Sequence, residues 1–208
     1  EILDVSCGTG KMAIYFGKVG MTVYGFDKSL NMVKEARLIK THDNALYHFW
    51  QGDMEYFNLK RKFHVIINLY DSIQYILTCS SMETHFNSIR DALSDGGIYI
   101  FDIVTEQGAL KNFKNYYESA VQPNFRYVRK SRYDIRKRMQ INDFKIWLRE
   151  GGKIRKYREI HRQKIYNQEE LSQIIDRSKL KVINIFDGFT FNSPGKNAER
   201  IHFVLTGD

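Results

Sequence analysis

Gly8, Gly10 and Ala13 follow the apolar run Ile2-Leu3-Asp4-Val5 in a Gly-x-Gly-x-x-Ala spacing. This is the pattern of a buried strand breaking into a turn where backbone approaches a ligand and a helix begins close by. Any strand-to-helix turn in an α/β protein favours glycine, so the spacing gains meaning only from the strand ends downstream of it. Thr22-Val23-Tyr24-Gly25-Phe26-Asp27 reads as a second strand ending in a carboxylate, about twenty residues on, the place from which an acid grips a ribose hydroxyl pair. Gln51-Gly52-Asp53-Met54 supplies a third loop with a second acid, at the edge where an adenine would lie. Three strand ends carrying glycine, acid, and acid with methionine describe a nucleoside pocket.

The elements that must position these residues are set by periodicity. Ile2 to Val5 leads into a helix over Lys11 to Lys18, which Gly20 terminates. Ser29 stands at a capping position before a helix over Leu30 to Lys40, whose Met32, Val33, Ala36 and Ile39 form a stripe toward a sheet. Leu46 to Gln51 is the third strand, and Phe63-His64-Val65-Ile66-Ile67-Asn68-Leu69 is a continuous apolar fourth, typical of a parallel strand buried on both faces. A helix over Glu83 to Leu93, a turn at Asp95-Gly96-Gly97 and a fifth strand over Ile98 to Ile103 complete five alternations of β and α, hence a doubly wound parallel sheet. Asp102 is an acid in that apolar fifth strand, so it must be paired or face the ligand cleft. Asn68, Leu69, Tyr70 and Asp71 fall at the carboxyl end of the fourth strand, where strand order reverses and ligands bind in open α/β sheets. For Asp71 a helix N-cap with Ser72 is as good a reading as a ligand contact.

After a helix near Glu106 to Lys114 the character changes. Phe125 to Asp134, Arg138 to Arg149 and Lys153 to Tyr166 read as three antiparallel strands, with Gly151-Gly152 as a hairpin turn. Met139 and Ile141 alternate on one phase, and Phe144, Ile146 and Leu148 on the other, which suggests a bulge near Asp143. Asn167 with Glu170 three residues on opens a helix over Glu169 to Arg177. Lys181 to Phe186 and Ile201 to Thr206 then close the main sheet as an antiparallel pair.

The chain has 208 residues, a net charge of +8 and two cysteines. That suits one elaborated domain in a reducing compartment, so the cytoplasm is expected. Cys7 reads as a small buried thiol. No apolar run is long enough to span a membrane, no leader is visible and no metal site is expected. From Arg126 to Lys164 fifteen Lys or Arg stand against four acids, while the remainder has seventeen basic and twenty acidic residues. The excess positive charge therefore sits in one stretch, which is either a solvated face or a site for an anionic partner.

Leu3-Asp4-Val5-Ser6-Cys7-Gly8-Thr9-Gly10, Gly25-Phe26-Asp27-Lys28-Ser29-Leu30-Asn31-Met32, Gly52-Asp53-Met54 and Leu93-Ser94-Asp95-Gly96-Gly97 succeed one another in this order over residues 3–97. In these segments the chain resembles the class I S-adenosylmethionine-dependent methyltransferases, with Ser6 where such families usually carry Gly or Ala. The resemblance implies an α/β fold with a Rossmann-like doubly wound seven-stranded sheet, its terminal strand antiparallel, and a small antiparallel β insert. The division it implies is a cofactor-binding core at 1–115, an insert at 116–166 that roofs the substrate, and completion of the core at 167–208. Relatives generally begin with a helical segment before the first strand, so residues preceding Glu1 are expected.

By the same resemblance, S-adenosyl-L-methionine is the cofactor. The candidates to hold it are Asp4, Ser6, Cys7, Gly8, Thr9, Gly10, Asp27, Lys28, Met32, Asp53, Met54, Asn68 and Leu69. The fourth-strand loop borders the methyl group in such enzymes, which makes Tyr70, Asp71 and Tyr75 candidates around the reaction centre. The insert is similar to that of the small-molecule branch, including sugar amine and glycine-type N-methyltransferases. That likeness points to Tyr133, Trp147, His161, Arg162 and Phe189 for the acceptor. His161 has the intrinsic pKa suited to a base, and Tyr70, Tyr75 or Asp102 would orient the acceptor. The expected partner is a small amine or hydroxyl compound, an anionic one included, handled by a monomer or homodimer. Three rivals stand beside this reading: a tRNA or rRNA methyltransferase using the basic insert, a nicotinamide enzyme, and a non-catalytic cofactor-binding protein.

Overall fold

Strand β1 (Ile2–Val5) has all four side chains buried and lies between β2 (Val23–Asp27) and β4 (Phe63–Asn68), to both of which it pairs in parallel. The computed structural model describes residues 1–39 and 46–207. Helix α1 (Lys11–Lys18), helix α2 (Leu30–Ala36) and β3 (Tyr47–Gln51) extend the sheet on one side of β1. On the other side a 3-10 turn (Ser72–Tyr75), helix α3 (Cys79–Ala92) and β5 (Leu93–Val104) come after β4. The order is β10-β11-β5-β4-β1-β2-β3, with β10 (Leu180–Asp187) and β11 (Arg200–Gly207) joining antiparallel after α5 (Gln168–Arg177). The direction of winding thus reverses between β1 and β4, which leaves a crevice at their carboxyl ends.

Burial holds this sheet together. Phe86, Tyr99, Phe101 and Phe203 are fully buried between α3 and the sheet, with the rings of Phe101 and Phe203 stacked at 4.9 Å. Each such side chain contributes about 1.5–3 kcal/mol of transfer free energy.

Helix α4 (Glu106–Phe113) leads to a separate four-stranded antiparallel sheet, ordered β6 (Asn115–Gln122), β7 (Phe125–Asp134), β8 (Met139–Glu150) and β9 (Lys153–Lys164). Four differences from the sequence reading have physical causes. The insert has four strands because β6, an edge strand with mostly exposed side chains, lacks the apolar signature of the others. Helix α3 starts four residues before Glu83, since the Thr78 side chain accepts from the Ser81 N–H at 3.1 Å and caps it there. The last strand of the insert stops at Lys164, and Tyr166 turns into the core with its hydroxyl donated to the Ile76 carbonyl at 2.7 Å. No bulge occurs near Asp143: β8 pairs without a break to β7 and to β9. The phase does not change; the inward face passes from Gln140 and Asn142, polar and buried, to Phe144 and Ile146. The expected end of α2 at Lys40 lies outside the described residues.

Candidate active site

The glycine turn after β1 opens onto the crevice. Gly8 has φ +55°, and no atom lies within 4 Å of where a Cβ would stand. Gly10, at φ +75°, instead meets packing: a Cβ there would lie 2.6 Å from Ile39 Cδ1. Ser6 is also left-handed, at φ 62°, a conformation that costs a serine about 1 kcal/mol relative to glycine. Its hydroxyl donates to the Met54 sulfur at 3.2 Å.

Asp27, at the end of β2, closes on the same rim. Its Oδ2 accepts the Gly8 N–H at 2.9 Å and its Oδ1 the Ser29 N–H at 2.8 Å. Each oxygen keeps a lone pair for a further donor. Asp53 bonds the Lys28 ammonium at 2.8 Å and the Glu55 N–H at 3.0 Å. Partial burial raises its carboxyl pKa, but the Lys28 hydrogen bond, the Glu55 N–H and the Lys28 charge together outweigh this and leave it below the ordinary value.

Two buried atoms in this region have no hydrogen-bond partner among the described residues: Asp4 Oδ2 and Asn68 Oδ1. Burial, with the charge of Asp27 second, pushes the Asp4 carboxyl up to about 7. The third loop is held from behind by a residue that sequence reasoning did not single out. His85 on α3 donates Nδ1–H to the Met54 carbonyl at 2.7 Å, and the Tyr99 hydroxyl donates to its Nε2 at 2.9 Å. Full burial lowers the His85 pKa to about 4 and keeps the ring neutral. The resulting crevice has a volume of about 600 Å³ and is walled by Gly8, Asp27, Met32 and Met54 on one side and by Tyr75 and His161 on the other.

Tyr75 and His161 also wall a second cavity of about 360 Å³ beneath the four-stranded sheet. The Tyr75 hydroxyl lies 2.9 Å from His161 Nδ1, and His161 Nε2 lies 3.1 Å from Glu159 Oε2. A carboxylate only accepts, so Nε2 carries a proton; in the neutral imidazole Nδ1 is then bare and the tyrosine donates to it. Burial first, and then the charge of Asp71, push the Tyr75 pKa up to about 12, so the phenol stays protonated. Phe144 packs edge-on to His161 at 5.2 Å.

The sheet's inward face over that cavity carries a chain of polar side chains. Asn142 Oδ1 accepts from Ser131 at 2.6 Å and from Arg129 Nη2 at 3.0 Å, while Gln163 accepts from Gln140 and Asn142. Gln163 also donates to Asp71 Oδ2 at 2.6 Å, and Arg200 donates one nitrogen to Asp71 Oδ1 at 2.6 Å and another to Asp102 Oδ2. The Asp71 N–H closes the ring onto Asp102 at 3.0 Å.

Comparison with known proteins matches this geometry to methyltransferases. The profile of the methyltransferase domain matches residues 2–97. A protein of Geobacillus sp. (strain WCH70) that carries methyltransferase in its name is 27% identical over 98% of this chain and 83% of its own length. The structure of an S-adenosylmethionine-dependent methyltransferase from Clostridium acetobutylicum superposes with a TM-score of 0.85 at 21% identity, covering 99% of this chain and 83% of that one. Residues 2–97 thus carry a match to a methyltransferase domain, and the chain has the fold of S-adenosylmethionine-dependent methyltransferases. A further relative is the dTDP-3-amino-3,4,6-trideoxy-α-D-glucopyranose N,N-dimethyltransferase of Streptomyces venezuelae, 32% identical over 49% of this chain and 41% of its own. Among the described residues no helix is long and apolar enough to cross a membrane.

The crevice suits S-adenosylmethionine on three observations of this chain. The space beside Gly8 is open, the Asp27 oxygens have acceptor capacity left, and the orphaned Asp4 oxygen asks for a cation of the kind an amino-acid ammonium provides. Of the other residues expected to bind cofactor, Ser6, Lys28, Met32 and Asp53 line the crevice, whereas Cys7 is buried behind the turn with its thiol pKa raised by burial. Thr9 is half-buried within the turn, and Leu69 packs into the core cluster around Val33 and Phe49.

The acceptor candidates divide. Tyr70, Asp71, Tyr75 and His161 come together around the second cavity, Tyr70 being 62% exposed. Asp71 does not cap the 3-10 turn, because its side chain makes no cap bond and is taken up by Arg200 and Gln163. Asp102 is 1% exposed and faces Arg200 rather than the cleft. Tyr133 is buried against α4, donating to Glu106 at 2.8 Å. Trp147 lies on the sheet's opposite face under the Arg126 guanidinium, 5.1 Å from its ring centre. Phe189 is 84% exposed beside His202, in another cavity. Arg162 borders a shallow depression with Leu77 and Ile160 at the outer rim of Tyr75. Residues that sequence reasoning missed are Arg129, Gln140, Asn142, Phe144, Glu159, Gln163 and Arg200.

Proposed function

We propose that this protein methylates the nitrogen of a small polar amine, an amino sugar being the class that fits best. The observation that carries this reading is the wall shared by crevice and cavity: Tyr75 and His161 belong to both. S-adenosylmethionine, bound in the crevice, supplies a methyl group made electrophilic by its sulfonium. The chain's own work is to bring the acceptor nitrogen to that wall and to take its proton. The direction of the hydrogen bonds fixes how. With its own hydrogen donated to His161, the Tyr75 oxygen faces the cavity as an acceptor and orients an amine N–H. His161 Nδ1 is the bare nitrogen that receives a proton through the tyrosine, and Glu159 stabilises the imidazolium formed. Phe144 and Ile146 exclude water on one side of the cavity, while the amides of Asn142 and Gln163 suit a hydroxyl-rich ring.

The likeness to the Streptomyces venezuelae amino-sugar enzyme supports the amine. The placement of charge weighs against RNA as acceptor, because most of the insert's basic residues lie on the face turned away from the cavity. The test is formation of S-adenosylhomocysteine with matched pairs of amino sugars and their hydroxyl analogues. Turnover with the amines alone is expected, and turnover confined to the hydroxyl compounds overturns the proposal.

A further inference from the structure

The two faces of the four-stranded sheet differ in charge far more than a generally lysine-rich composition would produce. Cross-strand partners share a face, so the register sorts the residues directly. The inward set, which roofs the cavity, holds three basic residues and three acids. The outward set holds nine Lys or Arg against Asp134 and Asp143 alone. Of the nine, Arg158 is engaged by Asp143, whereas Lys130, Arg132, Lys145 and Lys156 are exposed and form no salt bridge among the described residues. Aromatic surface lies among them: Tyr117 is 60% exposed, and Trp147 carries Arg126 against its ring.

We infer that this outward face is a docking surface for single-stranded nucleic acid, separate from the methyl-transfer site on the other side of the same sheet. The inference does not depend on which acceptor is methylated. Cations on alternate residues of one strand are about 6.8 Å apart, and on neighbouring strands about 4.8 Å, a lattice on which successive backbone phosphates can be neutralised. A duplex would use the cations alone, while the exposed Tyr117 ring beside Lys130 offers a face on which an unpaired base stacks. An acidic polypeptide would use the cations and leave Tyr117 and Trp147 without a role.

The experiment measures fluorescence anisotropy of a labelled oligouridylate of about 16 nucleotides, the upper end of a single module's site size, on the wild-type protein over a salt series. Two fourfold charge reversals are compared with it: Lys130→Glu, Arg132→Glu, Lys145→Glu and Lys156→Glu on the face, and Lys18→Glu, Lys34→Glu, Lys60→Glu and Lys196→Glu elsewhere. Affinity should fall on the order of a hundredfold for the first variant, with the salt slope reduced by roughly 0.7 for each contact removed, and change little for the second. Circular dichroism and S-adenosylhomocysteine binding should be unaltered in both. Three results would overturn the inference: equal losses in the two variants, no binding at physiological salt, or binding of polyglutamate or duplex DNA as tight as that of the oligouridylate.

Discussion

The two sheets of this protein build their halves of the candidate site by different means. The seven-stranded sheet works from its edge: β1, β2 and β3 each end in a loop, and those loops present backbone N–H groups, carboxylates and a thioether held by local turns. The four-stranded sheet works from its face, through side chains spaced two residues apart on neighbouring strands, such as Glu159 and His161 on β9 and Asn142 and Phe144 on β8. An edge site depends on a few backbone positions, and a face site on which residues happen to share a phase. Cofactor binding and methyl transfer should therefore be separable by mutation.

The most severe test of that separation is Asp27→Ala. It removes a carboxylate with two charge-assisted hydrogen bonds, each worth about 1.5–3 kcal/mol, so S-adenosylhomocysteine affinity should drop about 10³-fold in calorimetry. An undiminished affinity would mean that the strand ends do not form the cofactor site. Tyr75→Phe leaves the ring and deletes the relay. Turnover should fall by about 10²-fold, within the range for lost acid–base assistance, with cofactor affinity unchanged; a parallel loss of affinity would show the two halves to be one.

Arg200→Leu probes the joint between them, since it leaves Asp71 and Asp102 without their cation. Urea unfolding should show a loss of about 3 kcal/mol, partly restored by adding Asp102→Asn. Protonation gives a subtler contrast. The folded-state pKa of Asp4 is raised from 3.8 to about 7, so its contribution to stability falls as pH climbs through that window. The folded-state pKa of His85 is lowered from 6.5 to about 4, so its contribution rises as pH climbs over that range. Asp4→Asn should therefore make the melting temperature climb between about pH 4 and 6.5, and His85→Gln should make it decline over the same interval. The smallest effect belongs to Asn142→Ala, for which KM should increase about fivefold through one lost hydrogen bond.

The cofactor half could be read in the sequence because its determinants are local. Gly8, Asp27 and Asp53 each come directly after a recognisable strand, and the structure gathers them on one rim. The acceptor half was read only in part. Tyr70, Asp71, Tyr75 and His161 do line one cavity, but Gln163 and Arg200, which hold Asp71, escape a reading of the sequence because their contacts span about 90 to 130 residues, and Glu159, two residues from His161, is one charge among many in a basic strand. Where the alternation in β8 was broken, the reading favoured apolar residues for the inward side and so passed over Gln140 and Asn142, which bury polar groups only because each finds a partner. A buried glutamine and asparagine two residues apart were the sign of a lined cavity, and a bulge was inferred instead. His85 was missed for another reason: its hydrogen bonds go to the carbonyl of Met54 and the hydroxyl of Tyr99, so nothing in its neighbouring sequence indicates its task.

One consequence lies in the order of assembly. Arg200 stands on the final strand yet secures Asp71, 129 residues earlier, and Asp71 in turn receives Gln163 from the end of the insert. In the growing chain the glycine turn and Asp27 emerge with the first strands, whereas Asp71 and Asp102 lack their cation until β11 has been made. The joint between the two sheets is thus the part of the candidate site that the chain completes last.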